Sequence, residues 1–222
     1  DEAFSTGVLT DVERELLTIT ALTAMQTLPQ LQAHVGAALN IGASPLQLRE
    51  TIYQCAPYIG FPKTLNAIDI ANGVFEANGI SLPLENAGTV DATDPSAREQ
   101  AGAAIQAPLY GNEVKEVFSA LPTPFDEFVP HLLTSSAFGD FATRGGLDVA
   151  QRELISLVAI AAIGATTQLR PHVAGAIRAG SSRQKVAAAL VHVMPYIGGP
   201  YALSGLVLVA RYDESASAEA YR

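Results

Sequence analysis

Apolar and weakly polar positions at Leu16, Ile19, Thr20 and Thr23 recur at intervals of three and four, which places them on one face of a helix. The same spacing returns at Leu154, Leu157, Val158 and Ala161. Thr10 or Asp11, and Asp148 in the later stretch, stand where a side-chain oxygen can cap the first amides of each helix. A second helix is expected from about residue 29 to 41. It should stop at Gly42, as 167–179 should stop at Gly180, because glycine takes the positive φ that commonly ends a helix. Ser44-Pro45 predicts the start of a third helix. Pro57 and Pro195 are expected to break the third helix of each stretch, since proline lacks the amide proton and collides with the preceding turn. Pro62 and Pro200 open a fourth, which in the first stretch ends near Asn78-Gly79. Residues 98–107, 112–120 and 125–140 also carry helical patterns, and no segment alternates like a strand. The fold class is all-α.

These parallels reflect an internal repeat. Shifted by 138 positions, Glu13 to Ala67 aligns with Gln151 to Gly205 without a gap, and 18 of the 55 positions are identical. The chain therefore reads as a tandem repeat packed about a pseudo-twofold axis: a first unit over 1–79, a linker over 80–97 rich in Gly, Pro, Asp, Asn and Thr, and a second unit over 98–222 with extra N-terminal helices.

Composition removes several classes of function. The 222 residues are 49% hydrophobic, enough to bury a substantial core, but no apolar run approaches the roughly 18 residues of a membrane span. The greasiest stretch, 154–163, ends at Gly164. A net charge of −9 disfavours a nucleic-acid partner, which needs clustered Lys and Arg. A lone Cys55 allows neither an internal disulfide nor a cysteine metal cluster. A cytoplasmic location is the expectation, with Asp1 in place of Met leaving room for a removed leader.

Within the repeat, one pair of chemically capable residues recurs. Glu15 precedes His34 by the same interval as Glu153 precedes His172, and two of the four histidines thus occupy matching positions. Glu15 shares a helix face with Ile19 and Leu22, and Glu153 with Leu157 and Ile160, so each carboxylate starts on an apolar face and needs a partner. The histidine of the next helix is the obvious one. Gln30 and Gln168, one turn before the histidines, are placed to hydrogen-bond the rings and fix their tautomers. Glu, His and Gln suit proton transfer, and equally suit a buried structural pair copied by duplication.

The runs R-E-L-L-T-I-T-A-L-T-A from Arg14, H-V-G-A-A-L-N-I-G-A from His34 and Y-I-G-F-P from Tyr58 resemble the carboxymuconolactone decarboxylase family, which includes alkylhydroperoxidase D-like proteins. In the second unit A-F-G-D-F-A-T-R-G-G-L-D from Ala137 leads into R-E-L-I-S-L-V-A-I-A-A-I-G-A, extending the likeness. The peroxidase branch carries a C-x-x-C pair just before the histidine. Thr27 and Gln30, and Ala165 and Gln168, stand there instead. The resemblance thus implies a cofactor-independent lyase or isomerase with no bound metal, acting on a small carboxylated or enolisable substrate. Glu15, His34, Glu153 and His172 would be catalytic, with Gln30, Gln168, Arg152, Tyr58 and Tyr196 touching substrate. Arg14 or Arg144 are further candidates to grip a carboxylate, and either Arg14 or Arg152 equally suits an ion pair with a neighbouring acid. The family also implies a homo-oligomer, expected as a trimer. Two other readings stay open: a peroxide-reducing enzyme using Cys55, and a non-catalytic small-molecule binder.

Overall fold

A computed structural model describes residues 7–213, and every regular element among them is helical. Helices α1 (Asp11–Met25), α2 (Leu28–Asn40), α3 (Pro45–Ile59) and α4 (Phe61–Ala77) form the first copy. After an irregular stretch come α5 (Pro95–Tyr110), α6 (Glu113–Phe118), α7 (Phe125–Leu132) and a π-helical segment, Leu133–Ala142. The second copy follows as α8 (Val149–Ala162), α9 (Thr166–Arg178), α10 (Arg183–Ile197) and α11 (Gly199–Ala210).

Local chemistry sets the boundaries. Thr10 caps α1 in a reciprocal box with Glu13, Asp148 caps α8 with Gln151, and Ser44 caps α3 with Gln47. Gly42 and Gly180 follow α2 and α9 with φ of 96° and 108°. Pro57 and Pro195 do not break their helices as expected. Both lie in the last turns of α3 and α10, which end instead at Gly60 and Gly198. Each proline removes one amide close to the helix end, and its ring is exposed to solvent.

Compactness groups both copies into one body, made by residues up to Glu85 with Gly146–Tyr212, whereas the expected boundaries follow the repeat. Within it the two copies exchange core. Leu16, Ile19 and Leu22 of α1 join the core of their own copy, together with Leu31, Leu48 and Ile52. Leu17, Ala21 and Ala24, on the other face of α1, join the core of the second copy. The repeat partners Ile155 and Ala159 of α8 return the exchange into the first core, as Leu147 does for Leu9. Consequently α1 and α8 are buried on every side along their C-terminal two thirds, which explains why their threonines and alanines sit inside with the leucines. The segment expected as a surface linker contributes as well, since Ile80, Leu82 and Leu84 lean on the first core.

Asn86–Gly145 form a second body. Here α5 crosses the π-helical segment so closely that a Cβ at Gly102 would lie 2.1 Å from the Thr134 carbonyl, and one at Gly139 2.3 Å from that of Arg98. A fork of Arg98 on Asp140 and a hydrogen bond from Thr134 to Gln106 fasten the crossing.

Candidate functional site

Helices α1 and α2 are neighbours, and one turn into each the repeat places Glu15 and His34 face to face. The Nδ1–H of His34 donates to Glu15 Oε2 at 2.9 Å, with the side chains 27% and 20% exposed. In the second copy His172 Nδ1 and Glu153 Oε2 approach to 3.7 Å, at 12% and 4% exposure. A carboxylate on Nδ1 selects the tautomer and aims the ring, so that the acceptor lone pair of the neutral ring falls on Nε2. For His34 that Nε2 makes no hydrogen bond among the described residues.

Gln30 and Gln168 do not take the part expected of them. Both side chains point to solvent and neither hydrogen-bonds its histidine. Being one turn ahead on the same helix gave proximity along the axis, but the ring nitrogen had already turned inward toward α1 or α8.

What each pair does meet comes from the opposite copy. The ring of Tyr196, on α10, stands edge-to-face against His34, with centroids 5.6 Å apart and planes at 88°. The ring of Tyr58, on α3, stands the same way against His172, at 5.4 Å and 87°. Each site is therefore assembled from the first two helices of one copy and the third helix of the other.

Around this shared plan the two sites differ. Beside the first, the Nε2–H of His192 donates to the Arg14 carbonyl at 2.9 Å and lies 2.9 Å from Thr18 Oγ1, its ring 6.0 Å from that of Tyr196. Burial pushes His192 down to about 4. Arg14 turns outward to Asp11 and the Leu9 carbonyl. Beside the second site the corresponding positions are Gln54, Ser156 and Arg152. Gln54 Nε2 donates to Ser156 Oγ at 3.2 Å, and Arg152 Nη1 donates to Gln54 Oε1 at 3.0 Å. Arg152 is 1% exposed, with Nη2 3.5 Å from Glu50, itself fully buried and bonded by Arg49 at 2.9 Å. Arg152 thus lies within a buried ionic network rather than at an open binding surface. Burial, with the Glu153 charge nearby, raises the Tyr58 hydroxyl above the ordinary phenol range.

Glu50 and the Thr18/Ser156 hydroxyls escaped the sequence reading. The hydroxyls were available as a signal, one turn after each glutamate in both copies. Glu50 was not, because Ala188 is its counterpart and only the fold brings Arg152 beside it.

Cys55 cannot serve the thiol reading. It is fully buried, its Sγ donates to the Thr51 carbonyl at 3.3 Å, and burial pushes the thiol up to about 12, which suppresses the thiolate that peroxide chemistry needs. Among the described residues no three His, Cys, Asp or Glu side chains converge as metal ligands. An open groove of about 570 Å³ between α2 and α4 is lined by Gln32, Ala33, Gly36 and Gly73, on a face of α2 that excludes His34.

The carboxymuconolactone decarboxylase family model matches residues 1–73 and 129–211, one segment in each copy, and the chain belongs to that family. Nitrosuccinic acid decarboxylase of Metarhizium robertsii is 29% identical over 110 residues, half of this chain and 77% of its own length. The 4-carboxymuconolactone decarboxylase of Acinetobacter baylyi is 35% identical over 68 residues, 31% of this chain and 51% of the relative. A 15.0 kDa protein of Paracoccus denitrificans is 41% identical over 64 residues, 28% of this chain and 48% of that protein. The chain thus spans about half the length of the last two. These likenesses support a decarboxylase-type role.

Proposed function

We propose that this chain is a cofactor-independent decarboxylase-type lyase in which a Glu-His pair delivers a proton to a small carboxylated substrate. The observation that carries this reading is His34, aimed by Glu15 through Nδ1, half-buried, and with Nε2 making no hydrogen bond among the described residues. The reactions that name two relatives, nitrosuccinic acid decarboxylase and 4-carboxymuconolactone decarboxylase, share one chemical demand. The carbon–carboxylate bond breaks, carbon dioxide leaves, and the electron pair spreads into an adjacent nitro or lactone group. The remaining carbanion then takes a proton at carbon from the imidazolium, whose positive charge the glutamate stabilises. Nothing in that sequence of steps calls for a metal or an organic cofactor.

The substrate-binding part of the reading rests on the tyrosines, which stand against the histidines. A homo-oligomer, expected as a trimer, belongs to the same reading; exposed Phe61 and Leu65 on α4 and Leu203 and Val207 on α11 offer it apolar surface, and sedimentation would size it.

The test is turnover of 4-carboxymuconolactone and nitrosuccinate, followed by ultraviolet absorbance and carbon dioxide release. Glu15→Gln and His34→Gln should each lower kcat by about 10²-fold or more if they act as acid and base. Unchanged turnover with all of Glu15, His34, Glu153 and His172 replaced sinks the proposal. Thermal stabilisation by either compound without product would favour a binder that has lost the reaction.

A further inference from the structure

Each tyrosine that stands against a site histidine follows, by one helical turn, a buried polar side chain: His192 before Tyr196 on α10, and Gln54 before Tyr58 on α3. Both polar groups reach across to the glutamate-bearing helix of the other copy. The Nε2–H of His192 meets the Arg14 carbonyl at 2.9 Å and the Thr18 hydroxyl at 2.9 Å, both on α1. Gln54 Nε2 donates to Ser156 Oγ on α8 at 3.2 Å. Thr18 and Ser156 hold matching places, one turn after Glu15 and Glu153. Duplication thus left one cross-copy contact in two versions, an imidazole and an amide. What the two side chains share is an N–H directed at the opposite first helix; they do not share shape or aromaticity.

We infer that His192 is a positioning residue for the His34 site: its Nε2–H anchors α10 to the helix that carries Glu15, and so holds the Tyr196 ring edge-to-face against His34. That role rests on His34 being the residue that transfers the proton. The line of contact is short. His192 is 2% exposed, its ring centroid lies 6.0 Å from that of Tyr196, Tyr196 lies 5.6 Å from His34, and the His34 Nδ1 lies 2.9 Å from Glu15. The circuit leaves α1 at Glu15 and returns to it at Arg14 and Thr18. Burial pushes His192 down to about 4, so near neutral pH the ring carries a single N–H, and the bond to the Arg14 carbonyl puts that hydrogen on Nε2. A neutral, fixed donor holds the aromatic wall in place without competing with His34 for the proton.

Two substitutions separate the anchor from the ring. His192→Phe keeps an aromatic side chain and removes the N–H; His192→Gln discards the ring and supplies the amide found at position 54. His192→Phe should lower kcat for 4-carboxymuconolactone or nitrosuccinate about tenfold with KM within about twofold, because a misplaced wall shifts the imidazole, and His192→Gln should hold kcat within about threefold of the parent. A residue that only filled the core would give the reverse order, since a phenyl ring suits an apolar interior better than an amide does. A readout independent of turnover is the NMR spectrum of the His34 ring protons, assigned by their loss in His34→Gln and displaced by the ring current of Tyr196. That displacement should survive in His192→Gln and shrink in His192→Phe. Should His192→Phe fail to fold, Thr18→Val, which removes one of the two Nε2 contacts and keeps the shape of the side chain, should move the same resonances in its place. Parent-like kcat and resonances in His192→Phe, a His192→Gln as impaired as His192→Phe, or unmoved resonances in Thr18→Val when His192→Phe does not fold would each overturn the inference. If His34→Gln leaves turnover intact, the proton-transfer reading fails. If His34→Gln abolishes turnover while His192→Phe matches the parent, that reading stands and the anchor assignment falls.

Discussion

The first copy leaves its arginine at the surface and the second draws its arginine inside. Arg14 and Arg152 occupy the same place in the repeat, one residue before the glutamate, yet Arg14 pairs with Asp11 while Arg152 reaches the buried Glu50 and Gln54. One substitution decides this. Position 50 is glutamate and position 188 is alanine, so only the α3–α8 contact provides a buried anion, and the guanidinium follows the charge. Duplication supplied two identical frames, and divergence at a handful of buried polar positions made one region rigidly wired and the other more open.

Breaking that wiring should have the largest effect. Removing either partner strands a charge in the interior, so Glu50→Ala or Arg152→Ala is expected to cost about 3–5 kcal/mol in urea unfolding. Arg14→Ala, at the equivalent place, should cost under about 1 kcal/mol, because an exposed pair is screened. Equal losses would mean that the two copies are wired alike.

A smaller effect separates the turns between the first two helices of each copy. Gly164 has φ of 70° and its Cβ position lies 2.7 Å from the Tyr201 ring, so Gly164→Ala should lose about 1–3 kcal/mol from strain and displaced packing. Its counterpart Gln26 holds the same left-handed conformation at φ 58°, tied by hydrogen bonds to the Lys63 carbonyl and from Asn66. Gln26→Gly should change stability by less than about 1 kcal/mol, because relief of backbone strain offsets the lost bonds.

His192 adds a pH-dependent difference between the copies. Its folded value is about 4, below the ordinary 6.5, so the unfolded chain binds the proton more readily. The stability it contributes is complete above pH 6.5 and is lost as pH falls from there through 4. His192→Gln, which installs the residue the first copy uses at Gln54, should flatten this part of the stability profile. An unchanged slope between pH 6.5 and 4 would show that His192 does not set it.

Much of the fold was readable because it depends on local chemistry. Thr10, Ser44, Asp148 and Ser182 cap helices through contacts within three residues, and Gly42 and Gly180 end them through their own φ. The Glu15–His34 and Glu153–His172 pairs were legible because duplication printed the same interval twice. Pro57 misled for a related reason. Its effect depends on how much helix remains beyond it and whether its ring meets solvent, and both are set by Gly60 and the packing of α3.

The amino-acid order by itself determined the helices, the repeat and the placement of an acid and an imidazole on successive helices of each copy, since these follow from periodicity, caps and spacing. Only the tertiary structure decided that Tyr196 faces His34 and Tyr58 faces His172, that Gln30 and Gln168 look outward, and that Arg152 is buried where Arg14 is not. Those choices depend on residues more than a hundred positions apart meeting across the exchanged core of α1 and α8, where burial makes an unpaired charge costly.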